Sequence, residues 1–286
     1  MSDSELRYLS TCPVGCNAPL ETTAYVLPEG ALLRCTACGQ LISQCSAARY
    51  WQSMQEFDDP QGTLPVTGSE QRRFRRSKSF LDQIAKLLGQ PAEQIRLLDV
   101  GCSSGAFLNT AVKLGFRAEG VEPAPKAAAT AQAAGLKVHQ GLLQEAGYAD
   151  GQFDAITLFE VIEHLQQPQE LLQECRRILR PGGILLVGTG NAASWSMAAM
   201  GARWEYLSIA KHGGHVSFFS PESLASLGQR AKFTVAAVHT RGVRFYEKGD
   251  CSKPIYRIAK LAAELLNIFA ALLNKGHDMA VYLKRS

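Results

Sequence analysis

Leu97-Leu98-Asp99-Val100-Gly101-Cys102-Ser103-Ser104-Gly105-Ala106-Phe107-Leu108 is the most informative segment of the chain. Ile95–Val100 is a short apolar run that reads as a buried strand. It carries Asp99 and Gly101 to the strand's C-terminal end. The small residues that follow let the backbone approach a ligand closely, and a helix starts near Gly105. Working outward, strands and helices alternate. Ala106–Leu114 reads as a helix, Phe116–Val121 as a second strand, Lys126–Ala134 as a second helix and Leu136–Gln140 as a third strand. Phe153–Phe159 is a fourth strand, Pro168–Leu179 a helix closed by Pro181-Gly182-Gly183, and Ile184–Gly188 a fifth strand. Pro221–Gln229 (helix), Phe233–His239 (strand) and Ala280–Leu283 (strand) complete the series.

This rhythm predicts an α/β fold: a doubly wound, mostly parallel, seven-stranded Rossmann-like sheet with an antiparallel strand near the C-terminus. Ligands of such sheets lie beyond the C-terminal strand ends. Glu122 ends the second strand, where a carboxylate can accept two ribose hydroxyl hydrogen bonds. A dinucleotide fingerprint needs glycine at the first, third and sixth positions of the turn. Those positions hold Gly101, Ser103 and Ala106, which weakens a nicotinamide cofactor.

The pattern present is D-x-G-x-S-x-G, and it resembles motif I of the class I S-adenosylmethionine-dependent methyltransferases. Three later pieces, over residues 95–240, match the same family: Glu122-Pro123, Gly151-Gln152-Phe153-Asp154, and Leu179-Arg180-Pro181-Gly182-Gly183. The resemblance implies S-adenosylmethionine as cofactor, held by Asp99, Gly101, Cys102, Ser103, Gly105, Glu122, Pro123, Leu142, Phe159 and Glu160. Ser103 departs from the family, where many members have glycine.

Phe159-Glu160-Val161-Ile162-Glu163-His164-Leu165 follows the fourth strand. In a helical turn Glu160 and His164, at i and i+4, would share one face. A histidine beside a carboxylate is a general-base candidate. This segment resembles the quinone-pathway O-methyltransferases. That likeness implies that Glu160 adjoins the cofactor and that Glu163 and His164 lie near the acceptor, where some members are thought to use a divalent metal.

Residues 191–220 break the rhythm and read as a substrate insertion. Trp204, Tyr206, Phe218 and Phe219 offer an apolar wall with polar tips, as an acceptor pocket needs. Gly201-Ala202-Arg203-Trp204 and His215 to Ser220 resemble segments of sugar, polysaccharide and secondary-metabolite methyltransferases. The catalytic candidates are therefore His215, His164 and Glu163, with His215 favoured over His164 on expected exposure. His212 reads as exposed, and His139, His239 and His277 as structural.

Five of the eight cysteines fall within the first 45 residues. Cys12-x3-Cys16 and Cys35-x2-Cys38 offer four thiolates in two short loops, enough for a closed tetrahedral zinc site. They resemble a zinc ribbon, with the x3 spacing as a departure and Cys45 as a spare. The segment has no apolar period of its own, so metal is expected to order it.

The domain expectation is a zinc-ribbon module over 1–50, a linker and helix over 51–92 (turn-rich at Asp58-Asp59-Pro60-Gln61-Gly62, helical over Ser79–Leu88), and a methyltransferase domain over 93–286. The basic run Arg72, Arg73, Arg75, Arg76 and Lys78 reads mainly as a solvated helix face. The apolar stripe at 258, 261, 262, 265, 269, 272 and 273 reads as core or dimer packing, so a homodimer is one expectation.

With 46% hydrophobic and 20% charged residues in 286, disordered and low-complexity classes are excluded. A formal net charge of +4 is too small to argue for nucleic acid. The most apolar late stretch, Leu265 to Asn274, runs ten residues without a charge, and a membrane span needs roughly 18 or more. The opening MSDSELRYLS lacks the apolar region of a secretory signal, so a cytoplasmic location is expected. The expected reaction is methyl transfer to a small-molecule hydroxyl of a sugar, polysaccharide precursor or secondary metabolite. The alternatives are an rRNA methyltransferase with a zinc ribbon and a non-catalytic cofactor-binding partner protein.

Overall fold

The computed structural model describes residues 7–57, 70–247 and 249–286. The opening segment and the turn-rich stretch at 58–69 lie outside the described residues. The chain begins with β1 (Leu20–Leu27), β2 (Gly30–Cys35) and β3 (Leu41–Ile42), then α1 (Ala47–Phe57) and α2 (Glu70–Leu88). The alternating part runs β4 (Arg96–Val100), α3 (Ala106–Lys113), β5 (Arg117–Glu122), α4 (Pro125–Ala133), β6 (Val138–Gln140), β7 (Phe153–Phe159), α5 (Pro168–Ile178) and β8 (Leu179–Gly190). The insertion contributes α6 (Trp195–Met200), α7 (Ile209–His212) and β9 (Ser217–Phe218). Then come α8 (Pro221–Arg230), β10 (Phe233–Arg241), α9 (Lys253–Leu272) and β11 (Asp278–Arg285).

The seven strands of the main sheet lie in the order β10-β11-β8-β7-β4-β5-β6. The pairs from β8 to β6 are parallel, and β11 runs antiparallel to both neighbours. Period-two alternation splits each central strand between two cores. Leu97, Ala155, Ile184 and Leu186 pack under Leu81 and Ile84 of α2. Leu98, Ile156, Leu185 and Val187 pack under α5 and α8, against Leu172, Cys175 and Leu227. Truncating one of these leucines to alanine would cost about 2–5 kcal/mol. Ser220 caps α8: its hydroxyl accepts from Ser223 N at 3.1 Å, and the Ser223 hydroxyl accepts from Ser220 N at 3.0 Å.

Several expectations need correction. The helix before β4 starts at Glu70 rather than Ser79, and Ala47–Phe57 is helical rather than connector. Pro181-Gly182-Gly183 does not close a helix. It sits inside β8, where the register slips between Phe153↔Leu179 and Ala155↔Ile184 as a bulge. The first 50 residues also possess a core, shared with the insertion. Leu27, Leu32 and Leu41 pack with Met197, Trp204 and Phe218, and Leu33 and Ile42 pack with Val216. β9 extends their sheet, giving the order β1-β2-β3-β9. The stripe on α9 is not core: Ile258, Leu261, Leu265, Phe269, Leu272 and Leu273 face solvent, while Ala263 and Ala270 touch the body. No described helix is long and apolar enough to cross a membrane.

Candidate active site and candidate metal centre

β4 ends in a turn that only small residues allow. Gly101 has φ +74°, and a Cβ there would stand 2.6 Å from Val161 Cγ2. Gly105, at φ +83°, caps α3 and lies where a Cβ would strike Leu136. The turn is thus a backbone cradle that a side chain would fill. Ser103 adopts φ +48°, a left-handed conformation that favours glycine. It is held there by its N–H, which donates to Glu122 Oε2 at 2.7 Å. The other oxygen of Glu122 accepts from Ala124 N at 2.9 Å. The acid at the end of β5 and the loop after β4 are therefore one unit.

Asp99 is buried below this loop, and Thr157 Oγ1 donates to its Oδ1 at 2.6 Å. Burial pushes the Asp99 carboxyl up to about 7 from its ordinary 3.8, opposed by the Thr157 bond and reinforced by the nearby Glu122 charge. The Cys102 side chain packs with Leu108, Ala131 and Leu136, leaving its backbone to face a ligand. Pro123 and Leu142 are exposed, and the Phe159 ring lies tilted against Phe80 and Phe107, at 5.1 and 4.8 Å between centroids. These placements fit an adenosyl group lying over the ends of β4 and β5.

A second group of polar side chains is built at the ends of β7 and β8. Glu160 leaves β7 with φ +53°, its N–H donating to Gly188 O at 3.0 Å. A 3-10 turn, Ile162–His164, follows. The turn is tighter than the α-helical one expected, so Glu160 meets Glu163 rather than His164. Between them stands Tyr206, from the insertion. Its hydroxyl lies 2.6 Å from Glu160 Oε2 and 2.7 Å from Thr189 Oγ1, and it also contacts Glu163 Oε1. One phenolic proton cannot serve two carboxylates at once. Glu160 is exposed by surface area, yet the protein packed around its carboxyl, and then the Glu163 charge, raise it above its ordinary range. Burial and the two carboxylates push the Tyr206 phenol well above 10, so it stays protonated.

His215 completes the cluster. Its Nδ1 is 3.1 Å from Tyr206 O, and its Nε2 is 3.7 Å from Glu163 Oε1. A carbonyl can only accept, so Nδ1 carries hydrogen and Nε2 turns toward the carboxylate. His164 stacks edgewise on His215 at 4.7 Å, and Tyr50 OH donates to His164 O at 3.0 Å. His215 is 2% exposed while His164 is half-buried, the reverse of the expected order. Glu163, His164 and His215 each offer a ligand atom, all within 4.8 Å of one another, and Glu163 Oε2 is buried without a hydrogen-bond partner. Trp204 stacks on Tyr206 and donates to His277 Nδ1 at 3.4 Å. Burial lowers His277 to about 4, which keeps it neutral and able to accept. The side chain of His212 lies outside the described residues. Sequence reasoning placed Tyr206 in the wall but missed it as the hub, and it missed Thr189 and Tyr50 altogether. A Trp-x-Tyr spacing was the only local signal.

The four cysteines of the N-terminal loops converge as expected. Their sulfurs lie within 4.8 Å of one another, with Cys12 Sγ 3.6 Å from Cys38 Sγ. Tetrahedral zinc with bonds of about 2.3 Å sets sulfurs roughly 3.8 Å apart, so the donor set fits. Gly15 N and Gly39 N donate to Cys12 O and Cys35 O, both at 2.9 Å, closing two tight turns. None of the cysteines is in a disulfide. Cys45 stands apart, its thiol on Ser46 O at 3.3 Å.

A family model described as "Methyltransferase domain" matches residues 70–238. A ubiquinone biosynthesis O-methyltransferase of Cereibacter sphaeroides is 34% identical over 151 residues, covering 49% of this chain and 61% of that protein. A protein of the same description from Dinoroseobacter shibae is 30% identical over 204 residues, covering 66% of this chain and 78% of its own. The chain thus spans about three fifths of the length of the first of these relatives. Among solved structures, a SAM-dependent methyltransferase from Archaeoglobus fulgidus superposes with a TM-score of 0.54 at 18% identity, over 76% of this chain and 95% of that one.

Proposed function

The chain belongs to the class I S-adenosylmethionine-dependent methyltransferase family, and we propose that it methylates a hydroxyl of a small-molecule acceptor held between the ends of β7 and β8 and the insertion. The observation that carries this reading is the cluster of buried Glu163, Tyr206 and His215, with Glu160 exposed at its mouth, beside the cradle of Gly101 to Gly105. The relatives named as O-methyltransferases support an oxygen acceptor. The aromatic wall expected of the insertion is core instead: Trp204, Phe218 and Phe219 are 1% exposed and Tyr206 7%, so the acceptor class rests on the relatives.

When bound, S-adenosylmethionine supplies a methyl group activated by positive sulfur. The rest falls to the chain. The cradle and Glu122 hold the adenosyl part, with Glu122 exchanging backbone partners for ribose hydroxyls. Phe159 and Glu160, at the end of β7, would line the methionine end when the cofactor is bound. In-line displacement then needs alignment and a deprotonated oxygen. His215 Nε2 accepts the acceptor's proton, and Glu163 beside it stabilises the imidazolium that forms. The distance of 3.7 Å leaves that pair open until a proton or a cation lies between them. The clustering of Glu163, His164 and His215 favours a second reading, in which a divalent cation there lowers the acceptor hydroxyl's pKa.

The four cysteines are proposed to hold one structural zinc, with no open position for catalysis. An RNA substrate is less well supported. Arg76 is tied to Asp278 and Lys78 to Asp82, so part of the basic run is engaged within the protein.

The test is transfer of a labelled methyl group to a panel of catechols, phenols and sugars. At least one hydroxyl compound should be methylated, and His215→Ala should lower turnover by about 10²–10⁴-fold with cofactor affinity retained. Labelling confined to an amine, or full activity in both His215→Ala and His164→Ala, would overturn the assignment.

A further inference from the structure

α9 has two apolar faces, and the fold uses one. Ala263 and Ala270 seat the helix near Val243, Phe245 and Trp195. On the other side Ile258, Leu261, Leu265, Ile268 and Leu272 recur at alternating spacings of three and four, each between 61% and 76% exposed. Ile255, Phe269 and Leu273 widen this seam and are also at least half exposed. A contiguous apolar surface of this size exceeds what a monomeric soluble protein ordinarily leaves in water.

We propose that this seam is a self-association surface, on which α9 of a second copy of this chain packs antiparallel about a two-fold axis near Leu265. Three observations select that occupant. The spacing of three and four is that of helix-on-helix packing, in which each side chain enters a hole of the facing helix. Eight large side chains, at roughly 60–120 Å² apiece, supply about the 800 Å² per partner of a standard stable interface. The charges are lopsided: Lys253, Arg257 and Lys260 occupy the first turns, Glu264 follows, and 265–272 carry none. A parallel pair would set cations beside cations. The antiparallel pair sets each cationic end beside the partner's uncharged C-terminal half, where the helix dipole is negative. A two-fold arrangement also closes on itself, so it yields a dimer and not a fibre. A lipid surface is a poorer match, because surfaces that bind anionic lipid carry clusters of about four to eight cations and α9 has three, all toward one end.

The interface would bear on the acceptor side. The loop after α9 is bound from the insertion. Asn191 Nδ2 donates to Asn274 O at 3.0 Å and Gly276 O at 2.8 Å, and Trp195 N donates to Lys275 O at 3.0 Å. A second copy on α9 would brace the insertion.

Sedimentation equilibrium of the full chain tests the proposal. At micromolar concentration the mass should be twice the 31.1 kDa chain mass. Leu265→Asp, at an exposed position, should weaken dimerisation at least 100-fold while the melting shift given by S-adenosylhomocysteine is unchanged. Chains bearing Ile258→Cys should cross-link to chains bearing Leu272→Cys, and neither should cross-link to itself through the new thiol. A single 31.1 kDa species at tens of micromolar would overturn the proposal. So would a dimer indifferent to Leu265→Asp, self-linking of each cysteine variant, or a monomer whose α9 instead binds phosphatidylcholine–phosphatidylglycerol vesicles.

Discussion

Tyr206 has one proton to give and three oxygens within reach: those of Glu160, Glu163 and Thr189. Tyr206→Phe removes a hydroxyl that bridges the buried Glu163 carboxyl and the exposed Glu160. An unsatisfied buried polar group costs about 1–3 kcal/mol, so the variant should unfold at correspondingly lower denaturant. Tyr206→Phe should also reduce methyl transfer more than cofactor binding. Asp99 gives a residue-scale prediction with a sign. Its folded pKa of about 7 lies above the ordinary 3.8, so the folded state holds the proton more tightly. Its contribution to stability is full below about pH 4 and is lost as pH rises through about 7. Asp99→Asn should flatten that part of the curve, read from denaturant midpoints at pH 4 to 8. An unchanged slope would mean that Asp99 titrates normally. The cradle was legible in sequence because Gly101 and Gly105 answer local backbone demands. Tyr206 was not, because its partners arrive from β7, β8 and the insertion and meet only in the folded chain.

At the scale of elements, β3 and β9 join what the sequence divided. Leu41 pairs with Phe218 and Ile42 with Ser217. Ser43 N donates to Val216 O at 2.8 Å, and Val216 N to Glu163 O at 3.1 Å. A backbone ladder therefore runs from the cysteine loops to Glu163 and His215. Loss of metal should be felt at the acceptor and not at the cofactor. Cys35→Ser should lose its zinc by elemental analysis, lose protection of the Val216 amide to hydrogen exchange, and keep its affinity for S-adenosylhomocysteine within about threefold. Protection of Val216 surviving zinc loss would separate the two units again. A strand of two residues has no period, so β9 could not be read from sequence. The stripe on α9 was legible as a helix, but periodicity does not say which of two apolar faces meets the body.

Across the whole molecule, strand–helix alternation predicted the sheet, because buried parallel strands and their crossover helices leave long, regular signals. The order β10-β11-β8-β7-β4-β5-β6 sets the cradle and the Tyr206 cluster side by side at the C-terminal edge of the central parallel strands. This edge should bind S-adenosylmethionine through the loop after β4 and the acid ending β5. Titration calorimetry with S-adenosylhomocysteine measures it most directly. One site per chain is expected and, at a hundredfold excess over the dissociation constant, a stabilisation of about 2.7 kcal/mol. Glu122→Ala should bind at least tenfold more weakly. Absence of binding, unchanged affinity in Glu122→Ala, or binding of NAD in its place would contradict it.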